Sequence, residues 1–236
     1  MADVYDVPFY TDQLEVTVTK NSTVVNDWIL QTVHAHRRRL HKLLVGLDIE
    51  WLPCFNREDS HPVALLQLCV GHRCLLFQLL YKDTVPGFLV RFLKDPKFTF
   101  VGVGVKGDAE KLLRDHRLFV ANTVELNGLA LSVYGEEVYG KMGLKRMAKE
   151  VLGKVMEKPL NVTLSKWDAE ELVYEQVEYA AIDAFVSFEI GKKLFNLVRE
   201  IHREREIHRY AVAKREYLNC HVLPDTQRMF QTLALS

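Results

Sequence analysis

The 236 residues carry 31 Lys plus Arg and 31 Asp plus Glu, so the formal charge is zero and any binding of phosphate has to be local. A hydrophobic content of 48% supplies one sizeable core, and no run approaches the roughly 18 apolar residues of a membrane span. The acidic start, Met1-Ala2-Asp3-Val4-Tyr5-Asp6, has no apolar signal core, and four cysteines (Cys54, Cys69, Cys74, Cys220) do not make a disulfide frame in so long a chain. The expected setting is inside the cell, cytoplasmic or nuclear, with no membrane partner.

In chain order, a strand is expected over Leu14 to Thr19 and a helix over Ser22 to Ala35, followed by a basic cluster, His36-Arg37-Arg38-Arg39 with Lys42. Apolar runs of β type occupy residues 43 to 51, 63 to 70, 73 to 80, 98 to 105 and 119 to 126. Asp83-Thr84 opens and Lys94-Asp95-Pro96 closes a helical segment, and helical patterns dominate from Leu129 to Tyr217. Strands with crossovers, followed by helices, predict an α/β layer fold. Residues 199 to 217 interleave both signs of charge as an exposed helix does, and Ile201, Ile207, Tyr210 and Val212 on it suit a subunit contact. The expected organisation is an N-terminal strand and helix (1–40), a core domain (41–197) and a charged C-terminal helix and tail (198–236).

Chemistry concentrates in three places. In Leu44-Val45-Gly46-Leu47-Asp48-Ile49-Glu50-Trp51, the two acids lie two apart in an apolar run, so a strand sends both carboxylates out of one face. Paired carboxylates repel in a dry site, whereas a hard divalent ion turns the repulsion into binding; a strand end facing water, or pairing with Arg or Lys, is the other reading. Asp108 follows the β-rich run Phe98-Thr99-Phe100-Val101 and a string of glycines, where it serves equally as the N-cap of a helix from Asp108 to His116. Tyr179 and Asp183 are four apart, on one face of a helix, a spacing that is common on its own.

Two other patterns compete. Cys69, His72 and Cys74 have zinc-like spacing without a paired fourth ligand. Gly102, Gly104 and Gly107 match Gly-x-Gly-x-x-Gly, with Glu125 eighteen residues beyond the last, which is the outline of an NAD-binding dehydrogenase. That outline explains neither Asp48 and Glu50 nor Tyr179 and Asp183. For phosphate, residues 141 to 158 hold Lys141, Lys145, Arg146, Lys149, Lys154 and Lys158 against Glu150 and Glu157, six against two, net +4.

Taken together and in order, an Asp-x-Glu strand, an Asp after a second strand and a Tyr-x-x-x-Asp helix resemble the DEDDy branch of the DnaQ-like 3′-5′ exonucleases. Val45 to Trp51, Ala64-Leu65-Leu66-Gln67-Leu68-Cys69, Gly102 to Asp108, Lys111-Leu112-Leu113, Val151-Leu152-Gly153-Lys154 and Ser165-Lys166-Trp167 resemble the Werner syndrome exonuclease domain, from about Leu43 to Leu197. The N-terminal strand and helix are similar to those of small plant stand-alone members, the RISC-interacting clearing exoribonucleases.

That resemblance implies a ribonuclease-H-like α/β fold, a mixed five-stranded sheet flanked by helices. It implies metal-dependent trimming of single-stranded nucleic acid from a free 3′ end by two Mg²⁺ ions, for which Mn²⁺ substitutes. Asp48 would bridge the ions, Glu50 and Asp183 would complete the site on the nucleophile side, Asp108 would hold the other ion through water, and Tyr179 would orient the attacking water. Trp51, Lys106, Lys145, Arg146 and Lys149 are the expected substrate contacts. RNA is the favoured substrate through the subfamily, with Werner-like DNA trimming and an inactive nucleic-acid-binding module as alternatives. A homo-oligomer, up to a hexameric ring, and Argonaute proteins are the implied partners. One departure is Glu110, where the Werner domain has a tryptophan; without that aromatic to part a duplex end, single strands are favoured.

Overall fold

Strand β3 (Leu44–Trp51) sits inside a seven-stranded sheet of order β1-β2-β5-β4-β3-β6-β7, in a computed structural model that describes residues 2–53, 56 and 60–233, with side chains as far as Tyr217. The other strands are β1 (Ala2–Phe9), β2 (Asp12–Thr19), β4 (Val63–Val70), β5 (Arg73–Gln78), β6 (Thr99–Gly102) and β7 (Thr123–Glu125). β3 pairs antiparallel with β4 and parallel with β6. The five strands β3 to β7 form the expected sheet, and the N-terminus extends it by two, since β2 runs parallel to β5 and β1 antiparallel to β2. β1 is the addition. Its two Asp and one Pro weaken any strand signal, but at a sheet edge proline costs no ladder bond, and eight register pairs with β2 hold it.

Alternation along β3 decides what lies where. Val45, Leu47 and Ile49 face a core built with Val25, Trp28 and Ile29 of α1 (Ser22–Ala35), Leu89, Phe92 and Leu93 of α2 (Gly87–Lys94), and Val105 and Leu112 of α3 (Val105–His116). Gly46, Asp48 and Glu50 leave by the opposite face. β4 is buried at all eight positions, as a strand covered on both sides must be. Each fully buried Phe or Leu in this core contributes about 2 kcal/mol of apolar transfer.

α1 starts where expected because the Asn21 side chain accepts from the Thr23 and Val24 amides. Asp83, expected to open the next helix, instead accepts from the Ser22 amide and hydroxyl, so α2 begins only at Gly87, after Pro86. Beyond β7 come α4 (Leu126–Tyr134), α5 (Leu144–Met147) with a π turn over Ala148–Leu152, and α6 (Leu160–Thr163).

Helix α7 (Tyr174–Leu233) covers the other face of the sheet with its first five turns. A Cβ added to Gly46 would stand 2.0 Å from the Ala184 carbonyl oxygen, and one on Gly191 of α7 would stand 2.9 Å from Val101, so helix and sheet approach backbone to backbone. Residues to Leu194 form one compact unit, and those from Phe195 onward a second. Within the second, Ile207, Tyr210 and Val212 are exposed, on the charged helix the sequence predicts. Among the described residues no helix is long and apolar enough to cross a membrane. Cys54 lies outside the described residues, as does the side chain of Cys220.

Candidate active site

Because α7 lies directly on Gly46, the next residues on that face of β3 meet the helix face that carries Tyr179 and Asp183. Carboxylate oxygens of Asp48, Glu50 and Asp183 lie within 4.8 Å of one another. A register shift between Glu50 and Trp51 ends regular pairing with β4 at this point. Trp51 turns away from the acids to pack against the core, with the Lys111 ammonium 5.2 Å from its ring centroid.

Burial dominates the electrostatics. It pushes Asp48 up to about 7 and Glu50 up to about 9, with neighbouring carboxylates adding to the shift in both. Asp183, 1% exposed, is raised by burial, which Lys158 opposes. Asp108 stands at the margin of the trio and is raised to about 8, first by burial and then by Asp48 and Glu125. It is not an N-cap: α3 starts three residues earlier, with Gly104 at φ +83° in the cap position, so Asp108 lies in the first turn of the helix, outside the trio but near enough to Asp48 and Glu125 for their charges to raise it.

Lys158 is the residue sequence reasoning missed, having been counted only as one charge in the basic cluster. Its ammonium lies 2.5 Å from Asp183 Oδ2 and donates at 3.1 Å to the Tyr179 hydroxyl. Burial opposes that charge, but Asp183, Tyr179 and Asp48 outweigh it and hold the lysine firmly protonated. The Tyr179 phenol is pushed up to about 12, by burial and then by Asp183. The ring packs on Trp167, itself buried with its indole N–H on the Thr163 carbonyl.

The predicted phosphate cluster divides into separate roles. Lys145, 3.5 Å from Glu157, is exposed, as are Arg146 and Lys149; Lys154 turns inward to Asp12; Lys158 enters the site. Lys106 is exposed at the start of α3.

Both competing motifs are otherwise engaged. The Glu125 carboxylate accepts from the Gly104 and Lys106 amides, each at 2.9 Å, and so fills the helix terminus where a dinucleotide would put its pyrophosphate. His72 bonds Asp12, while the buried thiols of Cys69 and Cys74 turn to the carbonyls of Gly71 and Ala181.

The donor set fits a hard divalent cation. Three carboxylates, Asp183 buried and Asp48 and Glu50 half-buried, converge beside the Lys158 ammonium, and Asp183 Oδ1 is buried with no hydrogen-bond partner. All-oxygen ligation of this kind suits Mg²⁺ or Mn²⁺.

Comparison with known proteins agrees. The family described as 3′-5′ exonuclease matches residues 17–199. A 3′-5′ exonuclease of Arabidopsis thaliana is 32% identical over 155 residues, 65% of this chain and 53% of that protein. The bifunctional 3′-5′ exonuclease/ATP-dependent helicase WRN of Mus musculus is 35% identical over 156 residues, 65% of this chain and 11% of that protein. The chain thus spans about half the length of the first relative and about a tenth of the second. Among solved structures, Escherichia coli RNase D, an exoribonuclease involved in structured RNA processing, matches with a TM-score of 0.63 at 21% identity, over 78% of this chain and 45% of its own, which establishes a shared ribonuclease-H-like fold.

Proposed function

The chain belongs to the 3′-5′ exonuclease family, and on that premise we propose that it trims single-stranded nucleic acid, RNA by preference, one nucleotide at a time from a free 3′ end. The observation that carries this is the convergence of Asp48, Glu50 and Asp183 within 4.8 Å, with Asp183 Oδ1 unpaired in the middle of the fold. Such an arrangement has no structural benefit: like charges in a buried site cost stability and persist only for use.

Asp48, Glu50 and Asp183 would hold one divalent cation, and Asp48 with Asp108 a second. Bound there, Mg²⁺ or Mn²⁺ supplies an activated water and neutralises charge on the phosphate. Tyr179 keeps its proton at neutral pH and therefore orients rather than deprotonates. Lys158 donates into its oxygen and the hydroxyl bonds Asp183, which holds the phenol beside the carboxylates, where it would orient an attacking water.

Single strands are favoured by Glu110, exposed on α3 two residues past Asp108, where a duplex-parting aromatic would be needed. The preference for RNA, a place in small-RNA turnover beside Argonaute proteins, a cytoplasmic setting and assembly into a homo-oligomer follow from the likeness to small stand-alone plant exonucleases.

The test is parallel digestion of 5′-labelled single-stranded RNA and DNA of one sequence, in Mg²⁺ and in EDTA. A ladder shortening from the 3′ end on RNA, faster than on DNA and abolished by EDTA, is expected. Equal or faster loss of DNA overturns the RNA preference, and no shortening of either overturns the hydrolase.

A further inference from the structure

Lys158 reaches the site at the end of a coil, residues 153 to 158, that belongs to no helix or strand. What fixes this coil is remote in sequence. Tyr10, in the two-residue turn between β1 and β2, accepts from the Val155 amide at 2.7 Å and donates to the Val155 carbonyl at 3.2 Å, so one phenol closes both backbone groups of that residue. Asp12, just past the turn, takes the Lys154 ammonium at 2.5 Å and the His72 ring at 2.9 Å. The Lys154 stem crosses Phe9, Tyr10 and Phe185, with its ammonium 5.4, 5.7 and 5.9 Å from their ring centroids. Phe185 is two residues beyond Asp183, so the same turn braces the coil and the catalytic stretch of α7.

Tyr10 holds this position at a cost. Its φ is +57°, a left-handed conformation that bulky residues rarely adopt, in a turn that Asn or Gly would suit better. The residue is 60% exposed, so burial does not account for a tyrosine there. The hydroxyl does, because it is the group that reaches Val155. Strained residues of this kind collect where a site needs positioning. The turn also lies before residues 17–199, the part the family match covers.

We propose that the β1–β2 turn is a positioning element of the active site: by gripping Lys154 and Val155 it sets where the Lys158 ammonium stands between Tyr179 and Asp183. This rests on the hydrolase reading above for its effect on turnover, though not for its effect on the site's affinity for cations.

Lys158 sits against an oxygen that a divalent ion would use, and like charges oppose one another. Lys158→Met should therefore bind Mn²⁺ more tightly than wild type, as measured by loss of the free-ion EPR signal. Tyr10→Phe, which keeps the ring and deletes the grip on Val155, should shift Mn²⁺ affinity the same way by less, and should lower kcat on an oligonucleotide on the order of 10-fold with KM little changed. In the Lys158→Met background, Tyr10→Phe should add nothing to either readout. Additive effects, or wild-type behaviour of Tyr10→Phe in both readouts, overturn the proposal. Should Tyr10→Phe lose its fold by circular dichroism, Asp12→Asn, which releases Lys154, takes its place in the same cycle. If wild type cleaves neither RNA nor DNA, the hydrolase reading fails while the Mn²⁺ cycle still decides whether the turn controls Lys158.

Discussion

Gly46 and Ala184 touch backbone to backbone, an added Cβ on the glycine standing 2.0 Å from the alanine carbonyl oxygen. This contact sets the depth of the site, because Asp48 and Glu50 follow Gly46 on one face of β3 while Asp183 adjoins Ala184. Gly46→Ala has to push α7 off the sheet. Overpacking of this kind costs about 1–3 kcal/mol or more, and it also separates the carboxylates. The variant should melt several degrees lower and lose nuclease activity by more than its folded fraction explains. A melting temperature and turnover equal to wild type would show that the helix does not sit on this strand.

What the sequence made legible is what strict periodicity controls. Asp48 with Glu50 needs only the strand's period of two, and Tyr179 with Asp183 only the helix's turn, so those four were readable with their faces. Asp108 was readable as a position but not as a state: its two roles, cap and ligand, separated only when α3 proved to start at Val105. Lys158 was not legible because nothing local places it; a coil held by Tyr10, 145 residues away, brings it in. β1 was missed for a related reason, since its pairing with β2 outweighs a composition poor in strand formers.

Asp48→Ala removes one expected ligand and also one member of a mutually repelling set of carboxylates. Activity in Mg²⁺ should fall below a tenth of wild type, on the order of 1000-fold as for other residues acting in a unit. The metal-free protein should melt at the same temperature or higher, since a carboxyl whose ionised form is desolvated and repelled by Asp183 is gone. Retention of a tenth or more of the activity would remove Asp48 from the bridging position.

Tyr179→Phe deletes one hydroxyl and leaves the ring on Trp167. If that hydroxyl positions water, the loss in kcat should lie between about 10- and 1000-fold, at about 1.4 kcal/mol per decade, and below that of any carboxylate. The Lys158 ammonium keeps its contact with Asp183 in the variant, so the fold should be unaffected. Unchanged turnover would make Tyr179 an ordinary packing residue of α7.

Assembly is expected to use the helix from Phe195 onward, whose exposed Ile207, Tyr210 and Val212 are apolar residues on a charged segment. Light scattering at micromolar concentration should give a multiple of 27.3 kDa, and truncation after Leu197 should reduce it. A mass of one chain for the untruncated protein would sink the expectation.

The last expectation concerns pH. Asp48, Glu50 and Asp108 hold their protons to about 7, 9 and 8 in the folded, metal-free chain, against values near 4 when unfolded. Above pH 4 the unfolded chain has therefore shed protons that the folded chain retains, so the folded state binds more protons and stability must fall as pH rises, through the window from about 4 to about 9. In EDTA, the melting temperature should decline across that window. Cation binding runs the other way, because ligands have to lose protons first, so Mn²⁺ should bind more tightly and stabilise more at pH 8.5 than at pH 6. In Asp48→Ala the decline in EDTA should flatten, one titrating acid having been removed. A melting temperature in EDTA that rises between pH 6 and 8.5 would mean that the carboxylates are ionised and satisfied by some other partner, and the cluster would then not be a cation site held against its own repulsion.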